Sequence, residues 1–277
     1  GRAKDNEIQI LREMHFPDSL GLLYSAFTYH LGFKVNSGEY KVMGLAPYGE
    51  PIYSERILTH LIDLKEDGSF RMNMKYFNYE VGSEMTNDHF AELFNMAPRK
   101  PETELTQEHM DMASSIQEVT NQIVLKIARF SKDLTGERDL CMAGGVALNC
   151  VSNGLLVRER IYDHVWVQPA SGDAGGALGA ALYSWHSNYE ENDRIETERD
   201  KMKSALLGPF YPDRFIHTYL EDYNLTYTKV DSHELAERVA QLIGEGNVIG
   251  WFQGRMEFGP RALGSRSILG DPRSATM

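Results

Sequence analysis

The stretch from Asp139 to Ala181 constrains the fold of this chain more than any other part of it. It contains two successive units in which a short apolar run turns through glycines into a helix rich in small residues. The first run is Leu140–Ala143 and the second is Val165–Gln168. Strands that alternate with helices in this way predict an α/β layer architecture.

Glycines follow each of these runs, and the sites of interest are Gly144, Gly145, Gly175 and Gly176. Glycine allows a backbone to approach a ligand closely, and the start of a helix presents free N–H groups and a positive dipole end. A single turn of this kind is more simply explained by close packing of a helix on a sheet. Two consecutive turns, with Asn149 and Asp173 near their tips, favour a nucleotide or phosphate site at the carboxyl edge of the sheet.

Composition limits the classes of function. The formal net charge of −12 argues against a general nucleic-acid or membrane-surface binder. No apolar run approaches the ~20 residues that span a bilayer, and the N-terminus has no signal-peptide core. Cys141 and Cys150 have no metal-site spacing, so they are expected to be small, buried, reduced residues, and a cytoplasmic location is predicted.

Several elements are predicted before the glycine turns. A helix capped by Asp18 or Ser19 should run to Gly32, and the Gly- and Pro-rich residues 36–49 should form a loop. Residues 50–105 look like an insertion with a hairpin over residues 62–74, and the aromatic residues at 76–79 should cover the core. A long helix should run from Glu108 to Lys132. Its predicted buried stripe consists of Met112, Ile116, Val119, Ile123, Ile127 and Phe130.

After residue 186 the composition changes. Ten of the eighteen residues from 187 to 204 are charged, which is typical of a solvated linker or an exposed helix. A second unit is then expected, with a helix over residues 213–220, a strand over 226–230 and a helix capped by Asp231 or Ser232. The apolar face of that helix comprises Leu235, Val239, Leu242 and Ile243, and a buried strand should follow over residues 248–252.

Four arginines lie close together near the end of this acidic chain. They are Arg255, Arg261, Arg266 and Arg273. The planar guanidinium group binds phosphate or carboxylate through two parallel hydrogen bonds. The alternative is surface ion pairing with Glu257 and Asp271. The Gly, Ser and Pro residues around the arginines favour an anion-binding loop.

Five motifs together resemble the O-carbamoyltransferases of the nodulation-protein and antibiotic-tailoring type. They lie at residues 17–24, 39–49, 143–149, 172–177 and 254–268, the last reading GRMEFGPRALGSRSI. The last motif is very specific, and all five occur in the family's order.

The resemblance implies two domains. Residues 1–186, with the insertion at 50–105, would be the second half of a carbamoyl-transfer domain of the actin/Hsp70/sugar-kinase fold, similar to the universal tRNA threonylcarbamoyltransferase subunit. Residues 187–205 would be a charged linker. Residues 206–277 would begin a truncated α/β domain similar to the partner enzyme (YrdC-like) that makes the adenylate.

The resemblance also implies an activity. The second domain would form carbamoyl-adenylate from carbamoyl phosphate and ATP with release of pyrophosphate. The first would transfer the carbamoyl group to a hydroxyl of a sugar- or antibiotic-like acceptor. The implied partners are these small molecules, without nucleic acid or membrane, and with a homodimer as a possible assembly.

The resemblance implies a role for each of several individual residues. Arg261 and Arg266 would be catalytic and hold the phosphates. Gly144, Gly145 and Asn149, with Gly175 and Gly176, would contact the nucleotide. Asp173 would bind a divalent metal, with Fe²⁺ preferred over Mg²⁺.

The chain departs from the family in what precedes Pro17 and follows Met277. The family's early phosphate loop and the histidine pair that shares the metal would lie before Pro17, so the chain is expected to be an inactive fragment that binds metal weakly. Three alternatives stay open: a tRNA threonylcarbamoyltransferase, a kinase of the same fold, and a nucleotide-sensing module without chemistry. The arginine motif and the acidic charge count against the tRNA enzyme.

Overall fold

A computed structural model of the protein describes residues 1–4, 7–188, 202 and 204–274. The chain divides into two compact units. Unit 1 comprises Gly1–Ser171 and Ala180–Arg194, and unit 2 comprises Gly172–Gly179 and Ile195–Met277. Most of the predicted charged linker lies outside the described residues, and the predicted domain boundaries stay a prediction.

Unit 1 is built from short helices and hairpins around one long helix. Its elements before the glycine turns are β1 (Arg2–Lys4), β2 (Glu7–Gln9), α1 (Leu20–His30), α2 (Glu39–Leu45), α3 (Ser54–His60), β3 (Ile62–Leu64), β4 (Phe70–Met72), α4 (Asp88–Phe94) and α5 (Gln107–Thr135). Short 3₁₀ turns cover Ala46–Tyr48 and Met74–Tyr76. β1 pairs with β2, and β3 with β4, both antiparallel.

The long helix α5 confirms the predicted one with slightly wider bounds. It begins with a capping box between Thr106 and His109 and ends at Gly136, whose φ of +69° closes the helix in the left-handed conformation. The first four residues of the predicted stripe, from Met112 to Ile123, are fully buried, whereas Ile127 and Phe130 are half-buried. The 3.6-residue period of the apolar residues therefore predicted the buried face of α5 correctly.

Helix α1 is also confirmed. The hydroxyl of Ser19 caps it by accepting the N–H of Leu22 at 3.3 Å. Leu23 and Phe27 are fully buried, and burial of such side chains contributes about 1.5–3 kcal/mol each. Phe27 packs edge-on against Phe90 of α4, with ring centroids 5.1 Å apart.

The prediction of a loop over residues 36–49 is wrong for most of its length, because α2 and a 3₁₀ turn occupy residues 39–48. The carboxylate of Glu39 accepts hydrogen bonds from the N–H of Asn36 and the hydroxyl of Ser25, both at 2.9 Å, at the start of α2. Val42 is fully buried on the helix. Burial of this face outweighs the poor helix propensity of Gly44.

Residues 50–105 contribute to the same core. The predicted hairpin is confirmed, with Ile62 opposite Met72 and Leu64 opposite Phe70. Of the aromatic residues at 76–79, Phe77 is buried, and Tyr76 and Tyr79 are partly buried against the core, as predicted.

The two predicted β–glycine–helix units are confirmed. They consist of β5 (Asp139–Met142), a 3₁₀ turn (Gly145–Leu148), α6 (Cys150–Glu159), β6 (His164–Val167) and α7 (Asp173–Asn188). β5 and β6 are parallel, with Asp139 opposite His164 and Met142 opposite Val167. The carboxyl ends of the two strands therefore lie together.

The expected burial of the two cysteines is wrong, since both thiols are free and exposed. Cys141 lies opposite Trp166 in the β5–β6 pair. Alternate residues of a strand point to opposite faces. Leu140 and Val165 pack on the core, so Cys141 and Trp166 face away from it.

Unit 2 contains α8 (Asp213–Asp222), α9 (Ser232–Gly244), β7 (Ile249–Phe252) and β8 (Arg266–Leu269). Both predicted helices are confirmed, and Asp231 occupies the N-cap position of α9 without a side-chain capping bond. The predicted strand at 226–230 is wrong, because no described residue pairs with it in a ladder. The 248–252 strand forms, but it is not buried: β8 is its one partner among the described residues, and Val248 and Phe252 are more than half exposed.

No helix in the described part of the chain is long and apolar enough to cross a membrane.

Candidate functional site

The first glycine turn follows β5 and presents open backbone. Gly144 has a φ of +93°, which favours glycine. Its carbonyl accepts the N–H of Ala147 at 3.0 Å and so starts the 3₁₀ turn. A Cβ atom added at Gly144 or Gly145 would meet no atom within 4 Å, and both residues are exposed. There is room for a ligand against this backbone.

Ser171, the last residue of unit 1 before the second turn, is hydrogen-bonded to the first turn. The N–H of Gly144 donates to the carbonyl oxygen of Ser171 at 2.8 Å, and Ser171 is buried. The hydroxyl of Ser171 in turn donates to the backbone carbonyl of Gln168. The N–H of Gln168 donates to the carbonyl of Met142 at 3.3 Å. Hydrogen bonds thus join the end of β5, the first glycine turn and the residues after β6.

Asn149 lies inside unit 1 and not at its surface, with 6% of its area exposed. Its Oδ1 caps α6 by accepting the N–H of Ser152 at 3.1 Å. Its Nδ2 donates to Oε1 of Gln117 on α5 at 3.1 Å. In this conformation both the oxygen and the nitrogen of the Asn149 amide form hydrogen bonds within the protein. Asn149 therefore supports the glycine turn from inside unit 1.

Gln117 is the centre of that polar network, which sequence reasoning did not identify as a site. Its Oε1 also accepts the hydroxyl of Tyr24 on α1 at 3.0 Å. Its Nε2 lies 2.9 Å from Oδ1 of Asn121 and 3.3 Å from Oγ of Ser152. The available signal was a glutamine between buried Ala113 and Thr120 on the buried face of α5, where an amide needs internal partners.

The remaining predicted nucleotide and metal residues belong to unit 2. The N–H groups of Gly175 and Gly176 lie 3.1 and 3.3 Å from the carbonyl oxygen of Gly172, in the first turn of α7. Asp173, the first residue of α7, is exposed. The described residues contain no group of three or more His, Cys, Asp or Glu side chains that could hold a metal ion. One exposed carboxylate does not make a metal site by itself.

The arginine segment comprises the connection between β7 and β8, strand β8 itself and the residues that follow it. Arg266 pairs with Glu257, with Nε 3.5 Å from Oε2, and Arg273 pairs with Asp271 at 2.6 Å. These are the ion pairs of the alternative interpretation. Arg255 donates to the carbonyl of Gly208 at 2.9 Å. The structure therefore places Arg261 in the irregular loop between the strands and Arg266 at the end of that loop, where Glu257 and the carbonyl of Gly259 hold its side chain.

Glu257 is the buried centre of this loop, with 4% of its area exposed. Its Oε1 accepts the backbone N–H groups of Leu263, Ser265 and Arg266 at 3.0, 2.8 and 3.3 Å. Burial by itself raises the pKa of Glu257. These hydrogen bonds, together with one from its own N–H, lower the pKa by more than burial raises it, so the pKa lies below its ordinary value. The carboxylate is therefore ionised at neutral pH.

Two family models match the chain. The one described as carbamoyltransferase N-terminus matches residues 2–182, and the one described as carbamoyltransferase C-terminus matches residues 240–277. The first alone covers more than half of the chain. The chain therefore belongs to the carbamoyltransferase family, a family of enzymes, which confirms the resemblance found in the motifs.

Three relatives illustrate the match. An uncharacterized protein of Synechocystis is 57% identical over 277 residues, which are 99% of this chain and 45% of that protein. Nodulation protein NolNO of Sinorhizobium fredii is 38% identical over 271 residues, 98% of this chain and 37% of that protein. A 3′-hydroxymethylcephem-O-carbamoyltransferase of Amycolatopsis lactamdurans is 26% identical over 243 residues, 85% and 39% respectively. The chain spans less than half the length of each.

Proposed function

We propose that the full-length protein containing this chain is an ATP-dependent O-carbamoyltransferase. The observation that carries the proposal is the match of both carbamoyltransferase models, N-terminal then C-terminal, within one chain. The residues matched by the first model include both glycine turns, and those matched by the second include the arginine loop. This order of matches supports assigning one half of the reaction to each part of the chain.

The proposed reaction has two steps. In the first, water takes the phosphoryl group of carbamoyl phosphate, which breaks the bond between its phosphorus and the carbamate oxygen and releases inorganic phosphate. The freed carbamate oxygen then attacks the α-phosphorus of ATP, and pyrophosphate leaves. In the second, a hydroxyl oxygen of the acceptor attacks the carbamoyl carbon, the bond to AMP breaks, and the hydroxyl proton is lost.

We assign the transfer step to an actin/Hsp70-like half-domain before the linker and the adenylation step to a YrdC-like domain after it. The open backbone at Gly144 and Gly145 supports a nucleotide contact in the first. Gly175 and Gly176 stay candidates for the same ligand. Asn149 would act on the nucleotide indirectly, by supporting the turn from inside unit 1.

Asp173 remains a candidate ligand for a divalent metal, Fe²⁺ or Mg²⁺. Since the described residues supply no further ligand cluster, its partners would have to come from other parts of the full-length protein.

Arg261 and Arg266 are proposed to hold the phosphates during adenylation. Developing negative charge on phosphate oxygens is stabilised by guanidinium groups that are already oriented. Arg266 meets this condition, since Glu257 and the carbonyl of Gly259 hold it from within the loop.

The acceptor is proposed to be a hydroxyl-bearing small molecule of the sugar or antibiotic kind. The Amycolatopsis relative is named for O-carbamoylation of a hydroxymethyl cephem, which supports this class. Because ATP and carbamoyl phosphate are cytoplasmic metabolites, we place the reaction in the cytoplasm. The acidic net charge argues against a nucleic-acid partner.

The decisive experiment gives the full-length protein ATP and carbamoyl phosphate without acceptor and measures pyrophosphate. Release that needs both substrates is expected. Formation of ADP in place of pyrophosphate would indicate a kinase of the same fold. ATP binding with neither product would indicate a nucleotide-sensing module. Threonylcarbamoylation of added tRNA would favour the remaining alternative.

A further inference from the structure

We infer that Glu257 is a positioning residue, which holds the loop from 257 to 266 in the shape that presents the Arg266 guanidinium to an anionic oxygen. The identity of that anion as a substrate phosphate rests on the proposed function. The placement of the guanidinium rests on contacts within unit 2 alone.

The first observation is how one carboxylate oxygen closes the loop. Oε1 of Glu257 accepts three backbone N–H groups from residues six, eight and nine positions later, at 2.8–3.3 Å. The chain must therefore fold back around the side chain. Oε1 thereby fixes the backbone at the point where Arg266 begins β8.

The second observation is the environment of the other oxygen. Oε2 is buried and has no hydrogen-bond partner among the described residues. Nε of Arg266 lies 3.5 Å away, and Nη2 of Arg266 donates to the carbonyl of Gly259 at 2.7 Å. These contacts occupy one edge of the guanidinium. Nη1 makes no hydrogen bond to any described residue, which leaves this nitrogen for an external oxygen.

The third observation is that Glu257 is itself held in place on both sides. The N–H of Gly208 donates to the carbonyl of Met256 at 2.8 Å, and the N–H of Phe258 donates to the carbonyl of Ala205 at 2.6 Å. The backbone on either side of the carboxylate is therefore anchored.

A purely structural role does not need this charge. Burying a carboxylate costs free energy unless hydrogen bonds and a countercharge compensate, and the neutral side-chain oxygen of a glutamine could accept the same three N–H groups. The charge is instead placed opposite Arg266, which would otherwise be free to change rotamer. A guanidinium with a fixed edge loses less freedom when it binds an anion.

The test is Glu257→Gln in the full-length protein, with pyrophosphate release measured against carbamoyl phosphate concentration. Glutamine keeps the shape and one acceptor oxygen but removes the charge at Oε2. KM for carbamoyl phosphate should rise about tenfold. Glu245→Gln, a change at an exposed residue after α9, should leave KM unchanged. A Glu257→Gln enzyme with the wild-type KM overturns the inference.

A double-mutant cycle separates positioning from loop stability. If Glu257 acts through Arg266, adding Glu257→Gln to Arg266→Ala should change KM less than twofold. Multiplying effects would show that Glu257 acts independently of Arg266 and would also overturn the inference.

Should Glu257→Gln fail to fold, Glu257→Asp keeps the charge but is one methylene shorter. It should also raise KM, and a wild-type KM in that variant contradicts the proposal.

Binding of inorganic phosphate, measured by calorimetry, distinguishes the two proposals. If wild-type protein releases no pyrophosphate, the proposed function fails. Glu257 is then judged by phosphate affinity alone, which should fall about tenfold in Glu257→Gln and stay unchanged in Glu245→Gln. Equal affinity in wild type and Glu257→Gln, or no phosphate binding by either, rejects the positioning role.

Discussion

The side-chain amides of Gln117 and Asn149 form a reciprocal pair inside unit 1. Nδ2 of Asn149 donates to Oε1 of Gln117 at 3.1 Å, and Nε2 of Gln117 lies 3.2 Å from Oδ1 of Asn149. Both residues are almost fully buried. The pair ties the middle of α5 to the residue that caps α6, and therefore supports the glycine turn just before it.

Replacing Gln117 with leucine should destabilise the protein by about 2–4 kcal/mol, because the Asn149 amide and the Tyr24 hydroxyl would lose a buried partner. Urea unfolding of the wild type and the variant measures this difference. The matched control is Gln122→Leu on the same helix, whose amide donates to the partly buried Glu118. That change should stay within about 0.5 kcal/mol. Equal effects of the two changes would contradict a structural role for the amide pair.

This pair also shows where prediction from sequence ends. The stripe of α5 and the two β–glycine–helix units were predictable because each rests on local periodicity and turn chemistry. The direction in which Asn149 points depends on Gln117, thirty-two positions earlier. No local pattern contains that information, so a residue expected to contact nucleotide proved to be internal in this structure.

Helix α2 illustrates the same limit. The glycines and proline of residues 36–49 favoured a loop, but the apolar residues of α2 are buried against the rest of unit 1. Gly49, just after it, approaches α5 so closely that a Cβ would lie 2.1 Å from the backbone of Met110. That glycine is explained by helix packing, a tertiary contact, and not by loop flexibility.

Alanine at the two glycines of the first turn should separate backbone strain from ligand contact. Gly144→Ala places a side chain at a φ of +93° and should cost about 1–2 kcal/mol in stability. Gly145→Ala has open space and no such φ, so stability should hold or rise slightly. If the turn binds nucleotide, Gly145→Ala should nevertheless weaken ATP binding at least ~10-fold, measured by calorimetry. Unchanged ATP affinity in Gly145→Ala would place the nucleotide elsewhere.

The buried His30 makes stability depend on pH. Burial lowers the pKa of this imidazole from 6.5 to about 4, against a hydrogen bond to the carbonyl of Met96 that raises it. Between these values the unfolded chain binds a proton that the folded chain does not. Stability should therefore be fully present above about pH 6.5 and fall by up to roughly 3 kcal/mol as the pH drops toward 4.

Comparison of variants isolates this contribution. His30→Gln should remove it, so that the wild type loses more stability than the variant between pH 6.5 and 4 in urea unfolding experiments. His89→Gln, at an exposed histidine, should show the same pH dependence of stability as the wild type. Parallel pH profiles for the wild type and His30→Gln would show that His30 does not titrate as its burial implies.

Asp173 and Asp213 offer a matched comparison for the proposed metal. Each is an exposed acidic residue at the start of a helix, α7 and α8 respectively. In the full-length protein, Asp173→Asn should lower the bound metal content, measured by elemental analysis, and abolish carbamoyl transfer while the fold is kept. Asp213→Asn should change neither. Full metal content and transfer in Asp173→Asn would remove this residue from the metal site.

Arg261 and Arg273 provide the corresponding comparison for the anion. Arg273 forms a bidentate pair with Asp271 and is largely exposed, so it is expected to contribute little to catalysis or stability. Arg261 lies within the loop that Glu257 closes. In the full-length protein, Arg261→Ala should reduce pyrophosphate release from ATP and carbamoyl phosphate at least ~100-fold, since an oriented guanidinium stabilises developing phosphate charge. Arg273→Ala should stay within about twofold. Pyrophosphate release that survives in Arg261→Ala but not in Arg273→Ala would move the anion site toward the end of the segment.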